Sequence, residues 1–434
     1  MKLLFILHMY QPYHNAGGET TAHTAMKAMV DRGHDVTVVF RPQNETEGDK
    51  CPDIYEYEGV KCIKSPLNTA QAFIKDVITR IDPDLLITHL DLTTLAMQLS
   101  LDTHKPLAHW VHNTMSLDVF HVSPQKCQLA IFNSNWVAEF YKWKGPQIVI
   151  HPTVEPDRYR CEKGTKITLV NPTPGKGADQ FYQLSKMLPD YEFLTVKSVY
   201  GEQIAVPNIS AHLHPNVETM EHTADIREAL RKTKVLLMPS QYESYGRVAV
   251  EAACSGIPTI AHPTPGLLEA LGDAGIFCDR DDLPSWKNAI ERLMTDDVYY
   301  RKRSDLALEL ANSLDPESEF DRLEEALLVT SRAFNQEDVM ERVLYANRRF
   351  GKKPDGSLSD QMHECRSLVC GGPGAPIPFE CLEEAKALGY ADIPADQPSE
   401  KTEILLDTKA LTEAPENKAI QEPEQKKTRK RKTA

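Results

Sequence analysis

The 434-residue chain carries a formal charge of −14, and 41% of its residues are hydrophobic. It is too long for one ordinary domain and suits two or three. No run of about 18 apolar residues occurs, which argues against a helical membrane span, and the acidic balance argues against a body built for general nucleic-acid binding. Nine cysteines at irregular spacing favour free thiols in a reducing compartment, so a cytoplasmic location is expected.

The opening KLLFIL is continuously apolar over Leu3–Leu7, with no small-residue cleavage site after it. It reads as a strand buried on both faces rather than a leader. A loop ending in Gly17-Gly18 follows. Ala22, Ala25, Met26 and Met29 then recur at helical spacing, and Gly33 stands where a helix C-cap would. DVTVVF is the next strand, completing a βαβ unit with a glycine-bearing first loop. DLLITH, PLAHWVH and LAIFNS are further strands with helical segments between them, a pattern that predicts a parallel sheet covered by helices.

Two prolines and several charges over Ile148–Arg160 break this rhythm and read as a linker. Alternation then restarts: KITLVN as strand, Ala178–Leu188 as helix, YEFLTV as strand, a helix from Asp225, and VLLMPS as strand. Helices from Leu283 to about Arg332 close the second unit, and the last of them is expected to pack back on the first. The domains are therefore placed at 1–150 and 151–335. A Gly/Pro/Cys-containing extension follows over 336–390, and a tail over 391–434 too polar to offset its ordering entropy is read as disordered. His363, Cys365, Cys370 and Cys381 lack the tight pairs of structural zinc sites and are read as incidental. The basic end over 426–432 is chiefly a solvated tail, with a weak polyanion contact as the alternative.

The most informative stretch is YESYGRVAVEAACSGIP. VLLMPS ends at the carboxyl edge of its sheet, where open α/β folds bind ligands. Glu243 then falls on the loop, a helix starts near Gly246, Glu251 lies within it, and Gly256 stops it. A helix start suits an anion such as phosphate, and ionised carboxylates beside it suit sugar hydroxyls.

This pattern, E-x7-E (Glu243, SYGRVAV, Glu251) followed by Gly256-Ile257-Pro258 and the PTPGLLEAL segment, resembles the retaining nucleotide-sugar glycosyltransferases of the GT4 group. The resemblance covers about residues 1–333. It implies the GT-B fold: two Rossmann-like doubly wound α/β domains with an inter-domain cleft. By that resemblance Glu251 would contact the donor ribose and Glu243 the donor sugar, with the backbone of Ser244, Tyr245 and Gly246 along the sugar and diphosphate. Gly17-Gly18 would approach the donor phosphate and acceptor. His112 in LAHWVHN would face the transferred sugar, with His109 competing for that role, and Lys176 in NPTPGKGADQF would grip the diphosphate. One departure is plain. Where the family has Gly-Arg, this chain has Val170-Asn171, leaving Arg247 or Lys197 as candidate substitute cations.

The implied reaction is transfer of a sugar from a nucleotide-sugar, a UDP- or GDP-sugar, to an unidentified acceptor with retention of configuration. No cofactor or metal is expected. Asp82-Pro83-Asp84 spells an Asp-x-Asp but reads as an ordinary lead-in to a strand, and preorganised protein charge would serve the leaving group. Two alternatives stand beside this: a transferase acting on modified DNA bases or a protein, and a nucleotide-sugar-binding protein without turnover.

Overall fold

The computed structural model describes residues 1–42, 44, 48, 50–114, 127–198, 204 and 214–350, with side chains through 335. His363, Cys365, Cys370, Cys381 and the basic end over 426–432 lie outside the described residues.

The first half builds an eight-stranded sheet. Its elements are β1 (Lys2–His8), α1 (Gly17–Asp31), β2 (Asp35–Arg41), β3 (Ile54–Tyr57), β4 (Val60–Lys64), α2 (Ala70–Ile81), β5 (Leu85–His89), α3 (Thr93–Thr103), β6 (Leu107–Val111), β7 (Leu129–Phe132), α4 (Asn135–Tyr141) and β8 (Gln147–Val149). The strand order is β3-β4-β2-β1-β5-β6-β7-β8, and every printed pairing is parallel except β3 with β4. β1 is buried from Leu3 to His8, as an apolar run covered on both faces must be. α1 turns Ala22, Ala25, Met26 and Met29 into the core, and Gly33 leaves the helix at φ +84°, a conformation that favours glycine.

The chain order reverses between β1 and β5, which creates a crevice at their carboxyl ends. A β3–β4 hairpin not read from the sequence extends the sheet beyond β2, and Ile148 and Val149, read as linker, belong to β8.

After a short α5 (Pro156–Tyr159), the second half forms a six-stranded parallel sheet. It contains β9 (Lys166–Val170), α6 (Ala178–Met187), β10 (Phe193–Val196), β11 (Val217–Met220), α7 (Arg227–Leu230), β12 (Thr233–Met238), α8 (Arg247–Ala253), β13 (Thr259–Ala261), α9 (Pro265–Leu271), β14 (Gly275–Phe277), α10 (Leu283–Thr295) and α11 (Asp297–Asn312). Its order, β11-β10-β9-β12-β13-β14, reverses between β9 and β12. The helix expected from Asp225 shortens to the single turn α7. Its far end gives way to β12 at Thr233, and Asp225, just before the turn, makes a bidentate pair with Arg227.

The last helix, α12 (Pro316–Phe350), leaves the second half and joins the core of the first through Phe320, Leu323 and Leu327. It continues to Phe350, past the point where composition predicts an extension. Arg32 bonds Glu317 at 2.6 Å and Asp321 at 3.0 Å, and His34 bonds Glu324 at 2.8 Å.

His151, in the linker, ties the halves together. Its Nε2 lies 2.8 Å from Glu269 on α9 and its Nδ1 3.4 Å from Glu319 on α12. Glu269 also accepts from the backbone N–H groups of Asn135 and Trp136 at the start of α4. Burial alone would lower the His151 pKa, but the hydrogen bonds its ring donates to the two carboxylates outweigh it and push the pKa up to about 9.

A group whose folded pKa is raised contributes stability fully below its unfolded value of about 6.5 and loses it as pH climbs through 9. We therefore expect the urea midpoint to fall between about pH 6.5 and 9.5, by at most about 3 kcal/mol of stability. In His151→Ala that part of the profile should be flat. Identical slopes in the two proteins would refute the assignment.

Candidate functional site

A cleft of ≈ 520 Å³ opens where the carboxyl ends of the two sheets meet. From the first half it is lined by Gln11, Asn15, Gly17 and Thr20, and from the second by Asn171, Lys176, Glu243, Gly246, Arg247 and Glu251, among others. Lys197 also reaches it, with its Nζ 2.7 Å from Glu221. Asn15 Nδ2 spans the opening by donating to the carbonyl of Ala224 at 3.0 Å.

Each side chain is set by local structure. Gly17 and Gly18 are the first two residues of α1 rather than a loop, so their amide groups belong to a helix start with no intrahelical partner. Lys176 ends a 3-10 turn and is followed by Gly177 at φ +85°. A Cβ at Gly177 would fall 2.6 Å from the carbonyl oxygen of Pro239, so the lysine loop lies directly on the end of β12. Lys176 Nζ donates to Glu243 Oε1 at 2.6 Å, and Ser240 Oγ donates to the same oxygen at 2.9 Å. Asn171 takes a left-handed conformation, φ +61°, which asparagine tolerates better than most residues.

Glu251 is 7% exposed and pairs with Arg247 one turn earlier on α8, Nε to Oε1 at 2.7 Å. The remaining arms of Arg247 reach the carbonyl of Thr153 at 2.8 Å and Tyr159 Oη at 2.7 Å. The candidate substitute cation is thus tied to the linker as well as to Glu251. α8 is only seven residues long, so its macrodipole is small.

Gly18, His112, Ser244 and Tyr245 are not among the lining residues. Ser244 joins the halves instead: its Oγ accepts from Asn133 Nδ2 at 2.9 Å and its carbonyl from Trp136 Nε1 at 2.7 Å. Tyr245 packs beside the His151 ring, with centroids 5.2 Å apart. His112 is buried, stacked on Trp110, with its Nε2 2.9 Å from His89 Nδ1. His109 is fully buried beside Thr93, 3.4 Å from its hydroxyl.

Asp82, at φ +51°, ends α2 and pairs with Lys105, while Asp84 accepts from the backbone N–H of Lys2. Sequence reasoning missed Asn15, Arg158, Thr223 and Arg227 as cleft residues. No local pattern marks them, because only the meeting of two sheet edges brings them together.

The loop carrying Glu243 is held from behind by α9. A Cβ on Gly266 would lie 2.4 Å from the carbonyl oxygen of Glu243 and 2.5 Å from the carbonyl carbon of Ser244. Gly266→Ala is therefore expected to destabilise the protein by about 1–3 kcal/mol and to displace Glu243 from Lys176. Urea unfolding with and without nucleoside diphosphate checks both effects. An alanine variant with wild-type midpoint in both conditions would show that the loop is not held there.

Residues 16–158 match the profile of Glycosyltransferase Family 4, and residues 180–296 match that of Glycosyl transferases group 1. Together these cover more than half of the chain. The chain belongs to the GT4-like glycosyltransferases of the GT-B fold. A D-inositol 3-phosphate glycosyltransferase of Corynebacterium aurimucosum is 26% identical to this GT4-like chain over 166 residues, which are 37% of the chain and 34% of that protein. The alignment thus spans about a third of the curated relative's length.

Among solved structures, sucrose-phosphate synthase from Thermosynechococcus elongatus superposes with a TM-score of 0.62 at 15% identity, over 75% of this chain and 98% of its own. HepE of Anabaena in complex with UDP gives 0.61 at 17% identity, over 75% and 99%. At these identities the likeness shows the shared GT-B architecture. Among the described residues no helix is long and apolar enough to cross a membrane.

Proposed function

We propose that this GT4-like protein transfers a sugar from a nucleotide-sugar to an acceptor hydroxyl with retention of configuration, and that Lys176, Glu243 and Glu251 carry the donor. One observation supports this above the rest: the two signature carboxylates and the lysine, up to 75 positions apart in sequence, line one cleft that Gly17 closes from the other half. The donor would lie with its ribose hydroxyls on Glu251, its diphosphate by Lys176 and the first amides of α1, and its sugar by Glu243. HepE, a structural neighbour solved with UDP, supports a nucleoside diphosphate as the group held.

In the reaction the bond from the anomeric carbon to the diphosphate oxygen breaks. The acceptor oxygen bonds to the same face of that carbon, and the departing phosphate takes the acceptor proton. Negative charge grows on the leaving oxygens, where Lys176 and the first amides of α1 oppose it without a metal bridging the diphosphate. His112 lies outside the cleft lining with its Nε2 on His89, so it acts on the sugar only through its neighbours and not as a base. A cleft roofed by two domains excludes water and so limits hydrolysis.

The test is a thermal-shift screen with UDP, GDP, their monophosphates and their sugars, followed by product analysis. Diphosphates should raise the melting temperature well above monophosphates, turnover should be indifferent to added or omitted Mg²⁺, and the product linkage should keep the donor's anomeric configuration. Clear binding of diphosphates without release of one from any donor sugar, including hydrolysis, would assign the chain to the binding proteins, as Asn171 in place of an arginine suggests. An inverted product would overturn the stereochemical proposal.

A further inference from the structure

His8, Glu19 and His89 meet at the order reversal of the first sheet. One ligand atom from each lies within 4.8 Å of the other two, and all three residues are buried. They come from three separate elements: His8 is the last residue of β1, Glu19 sits in the first turn of α1, and His89 is the last residue of β5. His8 Nε2 is 3.3 Å from Glu19 Oε1. Two ligands at about 2.0–2.1 Å from a tetrahedral zinc ion stand roughly 3.3–3.4 Å apart, so this pair already has the spacing of a metal's coordination edge.

Three further features point the same way. His89 spends its Nδ1 on His112, which leaves Nε2 buried with no hydrogen-bond partner. A buried ring nitrogen is left in this state only at a cost unless something occupies it. The His89–His112 bond stands where metal-ligating histidines make an outer hydrogen bond that fixes tautomer and ring orientation, with an imidazole in the place usually taken by a carboxylate, carbonyl or water.

Met9 and Leu90, the residues just after His8 and His89, both take left-handed conformations (φ +53° and +52°) that such side chains rarely adopt. Gly18 faces the same cluster: a Cβ there would be in ordinary contact with Leu90 at 3.4 Å and 3.9 Å from the His89 ring. Glu19 is itself only 1% exposed, so all three donors are shielded from bulk water.

We propose that His8, Glu19 and His89 bind a zinc-class divalent transition ion, with His112 as the outer partner of His89. Two imidazoles and one carboxylate are the donor set such ions favour. The ion braces the start of α1 against β5 and holds the His89–His112 pair in one orientation. This inference does not rest on the proposed reaction, because metal binding is measured without a donor.

The experiment uses the full chain stripped of metal, titrated with Zn²⁺ alone and with Co²⁺ alone. Expected are one tight equivalent, a Co²⁺ visible spectrum of nitrogen and oxygen ligation without thiolate charge transfer, and a raised melting temperature on Zn²⁺ addition. Glu19→Gln and His89→Ala should abolish that equivalent, and His112→Ala should weaken it about 10- to 100-fold. His109→Ala, a buried histidine outside the triad, should leave it intact. The titration of the unaltered chain decides the matter even if a variant fails to fold. No stoichiometric binding overturns the proposal and leaves a buried His8–Glu19 ion pair in its place. Binding with thiolate absorption, or binding that survives in Glu19→Gln and His89→Ala, overturns it equally.

Discussion

A Lys176→Ala protein is expected to release nucleoside diphosphate from its donor sugar about 10²–10³-fold more slowly than the wild type, the loss typical of removing one preorganised donor from a developing oxyanion. In the ligand-free cleft Lys176 is held by Glu243 at 2.6 Å, and the lysine side chain is about a third exposed (32%). It can therefore swing from the carboxylate to an arriving diphosphate with little reorganisation. Glu243 keeps its bond from Ser240 when Lys176 is gone, so the protein's stability should change by no more than about 1 kcal/mol. The signature is thus a large kinetic defect in a protein that melts nearly normally. Lys176→Arg restores charge but not shape and should recover part of the rate. If Lys176→Ala turned over within a few-fold of the wild type, the leaving group would have to be served elsewhere, and the donor placement would fail.

Arg247→Ala is expected to produce the opposite signature, a loss of about 3–5 kcal/mol of stability, the usual consequence of leaving one member of a buried ion pair without its partner. Arg247 is 8% exposed and bonds Glu251, the carbonyl of Thr153 and Tyr159 Oη together. Truncation leaves a 7%-exposed carboxylate without its cation and a linker carbonyl without its donor. A lysine cannot serve three partners from one point charge, so Arg247→Lys should recover little. Removing Arg247 and Glu251 together should cost less than the sum of the two single changes, because no charge is then stranded. Denaturant titration measures the four variants against the wild type, and a cost below about 1 kcal/mol for Arg247→Ala would show the pair to be solvated.

The strands of both sheets were legible because a parallel sheet covered on both faces leaves continuous apolar runs such as Leu3–Leu7 and Val235–Met238. The β3–β4 hairpin was not, since β3 is short and half-exposed, with Ile54 38% open to solvent. α7 contracted at its far end, because the chain already enters β12 at Thr233, inside the stretch that reads as helix.

At the cleft, the spacing of Glu243 and Glu251 and the loop around Lys176 carried enough local pattern to be found, and all three line it. The companions of those residues carried none. Arg247 faces Thr153 and Tyr159 across more than 80 positions, and His112 meets His89 only because β5 and β6 are neighbours. Pairings of that kind follow from strand order, which no short stretch of sequence encodes.

The return of α12 to the first core has a mechanical consequence. The polypeptide passes between the two lobes twice, once through the segment around His151 and once just before Pro316. Twin tethers leave one easy degree of freedom, a swivel about the line joining them, and resist both drift and exchange of lobes between neighbouring molecules. Any breathing that admits substrate must therefore be hinge-like, and whatever stiffens either strap will slow it.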